Sequence, residues 1–188
     1  MRKLRIGILL VLFASYVAFL NYTLPSNDVV KIVGTEVVRT EVPDRALFWV
    51  NRSPAVDSAG NRDIRFINAV FPNEKSRVYR NEDTGWRWPP YLKFDSGNLQ
   101  AEAQRFVGGE EWAVVRHYGW RITTMSIYPN ALSIRSIASP SDAGMNWMRY
   151  VLFAVGTILA LMVWRLSVLL REWIVDRFQS MRARLSRK

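Results

Sequence analysis

Apolar and polar residues fall along this chain in three regimes. Behind a basic start, MRKLR, residues 6–20 (IGILLVLFASYVAFL) run almost without polar interruption. From Pro25 to Gly144 apolar and polar positions alternate, and turn formers break the runs. Tyr150 to Trp164, YVLFAVGTILALMVW, is again free of charge. A bilayer core takes about 20 apolar helical residues. Tyr150 to Leu170 supplies 21 positions, provided Arg165 extends its guanidinium to the headgroups. Trp147, Tyr150 and Trp164 carry the amphipathic rings that mark membrane interfaces. This stretch therefore predicts a transmembrane helix. The first apolar run lacks the small-residue pair of a signal-peptidase site, so it predicts an uncleaved anchor.

The middle reads as strands with one helix. Val29–Val42, rich in β-branched residues, predicts one or two strands with a bulge or turn at Gly34. A short apolar run, Ala46–Val50, and a polar loop, Asn51–Arg62, follow. Ile64–Phe71 predicts a strand, with Arg77–Tyr79 pairing back onto it across Pro72 and Asn73. Asn81–Phe94, NEDTGWRWPPYLKF, predicts an ordered loop. Leu99, Ala103, Phe106 and Val107 share one face of a helix over about Gly97–Val107, capped by Asp95 or Ser96 and ended by Gly108 and Gly109. Trp112–Tyr118 and Trp120–Tyr128 predict strands, and Ala131–Ile137 completes a hairpin around Pro129 and Asn130. Ser139–Met145 is a linker. In the tail, Leu166, Leu170, Ile174, Phe178, Met181 and Leu185 draw one helical stripe.

These patterns predict a membrane α plus soluble α+β protein: two transmembrane helices flanking a small β-rich extracytoplasmic domain with one short helix. The divisions are 1–24 (cytoplasmic start and helix), 25–144 (β-rich domain), 145–170 (second helix) and 171–188 (basic amphipathic tail).

Charge sharpens this picture. The net charge is +10, but Arg2, Lys3 and Arg5 stand unopposed in residues 1–20, and residues 165–188 carry seven basic against two acidic side chains. Residues 21–164 are close to neutral, with 16 basic and 14 acidic residues. Basic residues beside membrane segments stay in the cytoplasm, which predicts both termini inside and the middle domain periplasmic, in a bacterial inner membrane. Arg165, Arg171, Arg177, Arg182 and Arg184 are the candidate lipid-headgroup contacts. A nearly neutral exported domain predicts no nucleic-acid partner.

Candidate chemistry is sparse. There is no cysteine, which excludes disulfides and thiolate metal sites. The single histidine, His117, excludes a multi-histidine metal site within one chain. No GxSxG, HExxH, Walker-type or GxGxxG pattern occurs, so no catalytic residue, metal or cofactor is assigned. Glu82 with Asp83, and Glu110 with Glu111, read as solvated turn charges. The distinctive feature is the interleaving of aromatic and arginine residues, the types enriched at interface anchors. It gives Trp86, Arg87, Trp88, Tyr91, His117, Tyr118, Trp120 and Arg121 as candidate partner-binding residues.

The run VYRNEDTGWRWPPYLKFDSGNLQAEA from Val78 to Ala103, with HYGWR at His117–Arg121 and the order anchor, outer domain, anchor, resembles a family of uncharacterised two-pass membrane proteins from alphaproteobacteria. The resemblance implies an inner-membrane protein with a periplasmic domain, and it transfers no activity and no site residue. The function expected is a non-enzymatic accessory or scaffold protein that sits in the lipid bilayer and binds a membrane or periplasmic protein or an envelope component. Two rivals are an envelope hydrolase or transferase using a carboxylate with His117, and a transporter or channel subunit. Gly156 and Ala160 would permit a homo-oligomer.

Overall fold

A computed structural model describes residues 2–41, 61–86 and 88–185. Ala46–Val50, nearly all of the Asn51–Arg62 loop, and Arg87 lie outside the described residues, as do the side chains of Arg182 and Arg184. The elements are α1 (Arg2–Thr23), β1 (Ser26–Glu41), β2 (Asn61–Val70), β3 (Ser76–Asn81), α2 (Ser96–Phe106), β4 (Trp112–Tyr118), β5 (Asn130–Ile137) and α3 (Trp147–Leu185). The chain divides into two units, Met1–Asn146 and Trp147–Lys188.

In the first unit the five strands close into a barrel of order β1-β2-β3-β5-β4. β1 makes closure possible by serving two neighbours. Its first part, Ser26–Val30, pairs antiparallel with β4. From Lys31 onward it pairs antiparallel with β2. The register shifts between Ile32 and Gly34, the bulge expected from that glycine, and a bulge bends a strand enough to pass from one neighbour to the next. β2 and β3 form the expected hairpin. β4 and β5 pair antiparallel.

The last seam, between β3 and β5, is parallel and contains a single register pair, Arg80 with Asn130. Two devices strengthen it. The Arg80 amide donates to the Pro129 carbonyl at 2.8 Å. The Asn130 carboxamide accepts from the Glu82 amide at 2.9 Å and donates to the Glu82 carbonyl at 3.0 Å, imitating a strand pair with one side chain.

Val30, Ile32, Ile67, Ala69, Tyr79, Ala113 and Val115 fill the interior. α2 lies between β3 and β4 in sequence and brings Leu99, Ala103 and Phe106 into the same core. That spacing of four and three residues puts all three on one helical face. The helix start differs from expectation. Asp95 makes no side-chain cap. Instead, the Asp83 carboxylate, 13 residues earlier in sequence, accepts from the Ser96 amide at 2.8 Å.

Behind α2, Lys93 is buried and its Nζ donates to Asn81 Oδ1 at 2.6 Å and to the Ala131 carbonyl at 2.7 Å. Burial pulls its pKa down from 10.5 to about 8, although Asp83 and Asp95 pull the other way. The chain enters the barrel through Pro25 and leaves it at Asn146, whose Nδ2 donates to the Pro25 carbonyl at 2.9 Å.

Two expectations are corrected. The fold is a closed five-stranded barrel with one short helix and one long apolar C-terminal helix, in place of a β-rich domain between two transmembrane helices. Among the described residues one helix is long and apolar enough to cross a membrane, and it lies within Pro140–Gln179. In α1, Arg2, Lys3 and Arg5 precede the apolar run and Asn21 ends it, so it falls short of the about 20 residues a span needs. The second correction concerns Trp120–Tyr128, which is a loop with a short 3-10 turn at Thr123–Met125 and one isolated bridge, Ile122 to Ile127. Gly119 at φ +88° turns the chain out of β4, a conformation that disfavours any residue with a Cβ.

In the second unit α3 is continuous over 39 residues, about 58 Å at 1.5 Å per residue. Arg165, Arg171 and Arg177 are exposed on it.

Candidate functional site

Strand alternation sends Ile67 and Ala69 of β2 inward, which leaves Ile64 and Phe66 on its outer face. Arg80 of β3 stands directly opposite Phe66. Over this face folds the loop that Gly119 starts. Between them lies a cleft of about 630 Å³, whose walls include Tyr22, Phe66, Arg80, Tyr118, Trp120 and Ile127.

The rings hold one another. Tyr22, in the last turn of α1, meets Trp120 edge-on at 5.3 Å and Tyr118 at 6.5 Å. Phe66 meets Tyr128 edge-on at 5.2 Å. The Arg121 guanidinium lies 4.2 Å from the centre of the Tyr128 ring, and its Nη1 donates to the carbonyls of Ile122 at 3.1 Å and Ile127 at 2.9 Å. Trp120 Nε1 donates to Asn21 Oδ1 at 2.9 Å, while the Gly119 amide donates to the Tyr22 carbonyl at 3.0 Å. The loop is thus tied to α1 on one side and to itself on the other.

At the base of the cleft Arg80 Nε lies 2.7 Å from Glu82 Oε2. Glu82 is buried, which corrects its reading as a solvated turn charge, and Asp83 likewise has a structural task at α2. Burial pushes the Arg80 pKa down, against the pull of Tyr118 and Tyr22. Burial pushes the Tyr118 hydroxyl up, partly offset by the 3.3 Å hydrogen bond from Asn130 Nδ2 and by Arg80. Apolar and aromatic walls over one balanced ion pair suit a ligand with a ring or apolar body and a single polar handle.

The eight candidate partner-binding residues separate into groups. Tyr118, Trp120 and Arg121 belong to the cleft or its covering loop. Tyr91 packs on Tyr118 at 5.0 Å, and its hydroxyl donates to the Thr23 carbonyl. Trp86 and Trp88 stay on the surface, 82% and 62% exposed; Trp88 stacks on Phe19 of α1 at 5.7 Å. Arg87 lies outside the described residues. His117 turns into the barrel mouth, buried, with Nε2 3.0 Å from Asp28 Oδ2.

The same Asp28 oxygen accepts from the Tyr79 hydroxyl at 2.7 Å. Burial alone would raise the Asp28 pKa, but the hydrogen bonds from His117 and Tyr79 and the charge of His117 and Arg77 outweigh it and hold the carboxyl below its ordinary value. Burial and the neighbouring Asp28 carboxylate push the Tyr79 hydroxyl far up. Asp28 thereby joins Tyr79 and His117 at the end of an apolar core.

Tyr22, Phe66, Tyr128 and Asn130 escaped the sequence reading. One signal was present: Ile64 and Phe66 are apolar on the face of β2 that the core does not use.

A five-stranded closed barrel with this strand order and a helix between the third and fourth strands is the OB arrangement, in which the face of the second and third strands and the loop between the last two form the usual binding surface. The cleft occupies that surface. The class defined is a small OB-type barrel carried on a chain with a long apolar helix. The chain belongs to the family described as protein of unknown function (DUF1523), whose model matches residues 1–172. It is 39% identical over 141 residues to an uncharacterised protein of Haemophilus influenzae (strain ATCC 51907 / DSM 11121 / KW20 / Rd), covering 73% of this chain and 78% of the relative. No solved structure matches. Membership in an uncharacterised family agrees with the resemblance read from the sequence; neither match bears on its alphaproteobacterial or two-pass details.

Proposed function

We propose that this protein is a non-enzymatic membrane accessory protein whose barrel holds a protein segment or an envelope component in the cleft between β2, β3 and the loop Trp120–Tyr128. The observation that carries this reading is the coincidence of an aromatic cleft of about 630 Å³ with the customary binding face of the barrel type. A ligand with a ring would stack on the aromatic walls, and Arg80 would receive its polar end. Nucleic acid is a poor match, because grooves that track phosphates carry unopposed positive charge, whereas Arg80 is answered by Glu82.

The proposed location is a bacterial inner membrane, with the barrel on the periplasmic side. Support comes from the apolar part of α3 and from the basic residues that follow it, which favour the cytoplasm. Arg165, Arg171 and Arg177 are then placed to meet lipid headgroups.

A photo-crosslinking residue at Met125, on the cleft wall, tests the binding reading in living cells. One discrete adduct is expected there and none from Glu110, and the adduct should disappear with W120A. Identical labelling at both positions would refute the reading.

The hydrolase or transferase alternative draws on a shallow depression of about 400 Å³ shared by Ser26, Asp28, Arg77 and His117. The Asp28 oxygen nearest His117 is already engaged by Tyr79, which favours the binding reading. A His117→Gln chain that folds and still complements a deletion strain removes the alternative.

A further inference from the structure

The loop joining β3 to α2 exposes four large apolar side chains that the barrel does not use: Trp86 at 82%, Trp88 at 62%, Phe94 at 59% and Leu92 at 47%. Trp86 meets Phe94 edge-on at 6.1 Å, so the rings brace each other while remaining open to the surroundings. In water such a cluster is unfavourable, and contiguous exposed apolar patches mark interaction sites.

What covers it is indicated by the element it is fastened to. Trp88 lies almost parallel to Phe19 of α1, with an interplanar angle of 11°. Tyr91 donates its hydroxyl to the Thr23 carbonyl at the end of the same helix. Trp120 does the same with its Nε1 toward Asn21. Phe19 is four residues before Thr23, about 6 Å along the helix axis. The loop is therefore clamped beside the final turn of a helix whose Leu10, Val11, Leu12, Phe13 and Phe19 are themselves exposed and apolar. Lys93, the loop's described lysine, is turned inward onto Asn81 and Ala131. Exposed amphipathic rings beside an apolar helix are the chemistry of the lipid-water interface.

We propose that Trp86, Trp88, Leu92 and Phe94, with the exposed apolar residues of α1, form one surface that seats the barrel in the interfacial layer of a lipid bilayer. The occupant is lipid, and the surface is separate from the ligand cleft, whose reading stands or falls independently. The cleft and the lipid surface share Tyr22 and Asn21 as neighbours through Trp120, so the seated barrel holds its cleft at the level of the membrane surface.

The chain has no cysteine, so a single substituted thiol can be labelled uniquely. Full-length W86C and F94C, each carrying a polarity-sensitive fluorophore, are reconstituted in phosphatidylethanolamine and phosphatidylglycerol vesicles, with E110C as reference. Glu110 precedes β4, whose six steps from Trp112 to Tyr118 separate it from α1 by about 20 Å. The expected result is blue-shifted emission at 86 and 94, quenched by lipid brominated near the headgroup at least threefold more strongly than at 110. Emission at 86 and 94 matching that at 110 would overturn the proposal. So would a blue shift without bromolipid quenching, because it would show that a second copy or another protein covers the loop.

Discussion

The carboxamide of Asn130 stands where the barrel has fewest backbone bonds, between β3 and β5, and it closes that seam by pairing both polar groups of Glu82. Asn130→Ala leaves a buried amide and a buried carbonyl without partners. Urea unfolding of the solubilised protein should show a loss of roughly 2 to 6 kcal/mol, at about 1 to 3 kcal/mol for each buried orphan. Lys93 gives a pH signature. Its folded pKa of about 8 is below the ordinary 10.5, so between those values the unfolded chain binds the proton more tightly. Stability should therefore rise, by roughly 2 kcal/mol from pH 8 to pH 10, while below that window Lys93 adds a constant cost and no pH dependence. Tyr79, its hydroxyl held up by burial, opposes this only above pH 10. In K93M the rise should vanish, as unfolding midpoints at several pH values would show. None of this was legible residue by residue. Glu82 and Lys93 look like ordinary surface charges in sequence, because what buries them is a loop whose path no local pattern specifies.

The elements were more readable where one period dominates. β4 and the helical face of Leu99, Ala103 and Phe106 follow from alternation and from 3.6-residue spacing, and Gly34 marks the bulge that bends β1. Trp120–Tyr128 alternates just as well, yet it is a loop, because the positive φ of Gly119 redirects the chain before the alternation begins. Gly119→Ala should then cost about 1 to 2 kcal/mol from left-handed strain and loosen the cleft wall, seen as a lower denaturation midpoint together with weaker crosslinking from Met125. Leu99→Ala removes a buried side chain that α2 brings into the core and should cost about 2 to 5 kcal/mol, with no change in the crosslink pattern once the protein is folded. The closure of the sheet was hidden for a different reason. It rests on one parallel residue pair, and a single long-range pairing has no periodic signature.

At the scale of the whole chain, the division into an apolar start, an alternating middle and an apolar helical end was visible in composition, but composition overstated the first segment. Fifteen residues separate Arg5 from Asn21, fewer than a span requires, and α1 instead gives its last turn to the wall of the cleft. The apolar part of α3 should keep the chain in the membrane pellet through alkaline carbonate extraction, and a chain ended after Gly144 should be released by it in larger measure. Recovery of the full-length chain in the supernatant would contradict membrane integration.

The bond from Asn146 to Pro25 fastens the two ends of the barrel's chain at one point. A tug on either terminus is met first by that clasp, in the manner of a pendant on a closed ring, before any strand is peeled from its neighbour. Weakening it with N146A should lower the force needed to pull the barrel open in single-molecule stretching, while leaving the folded barrel's fluorescence unaltered.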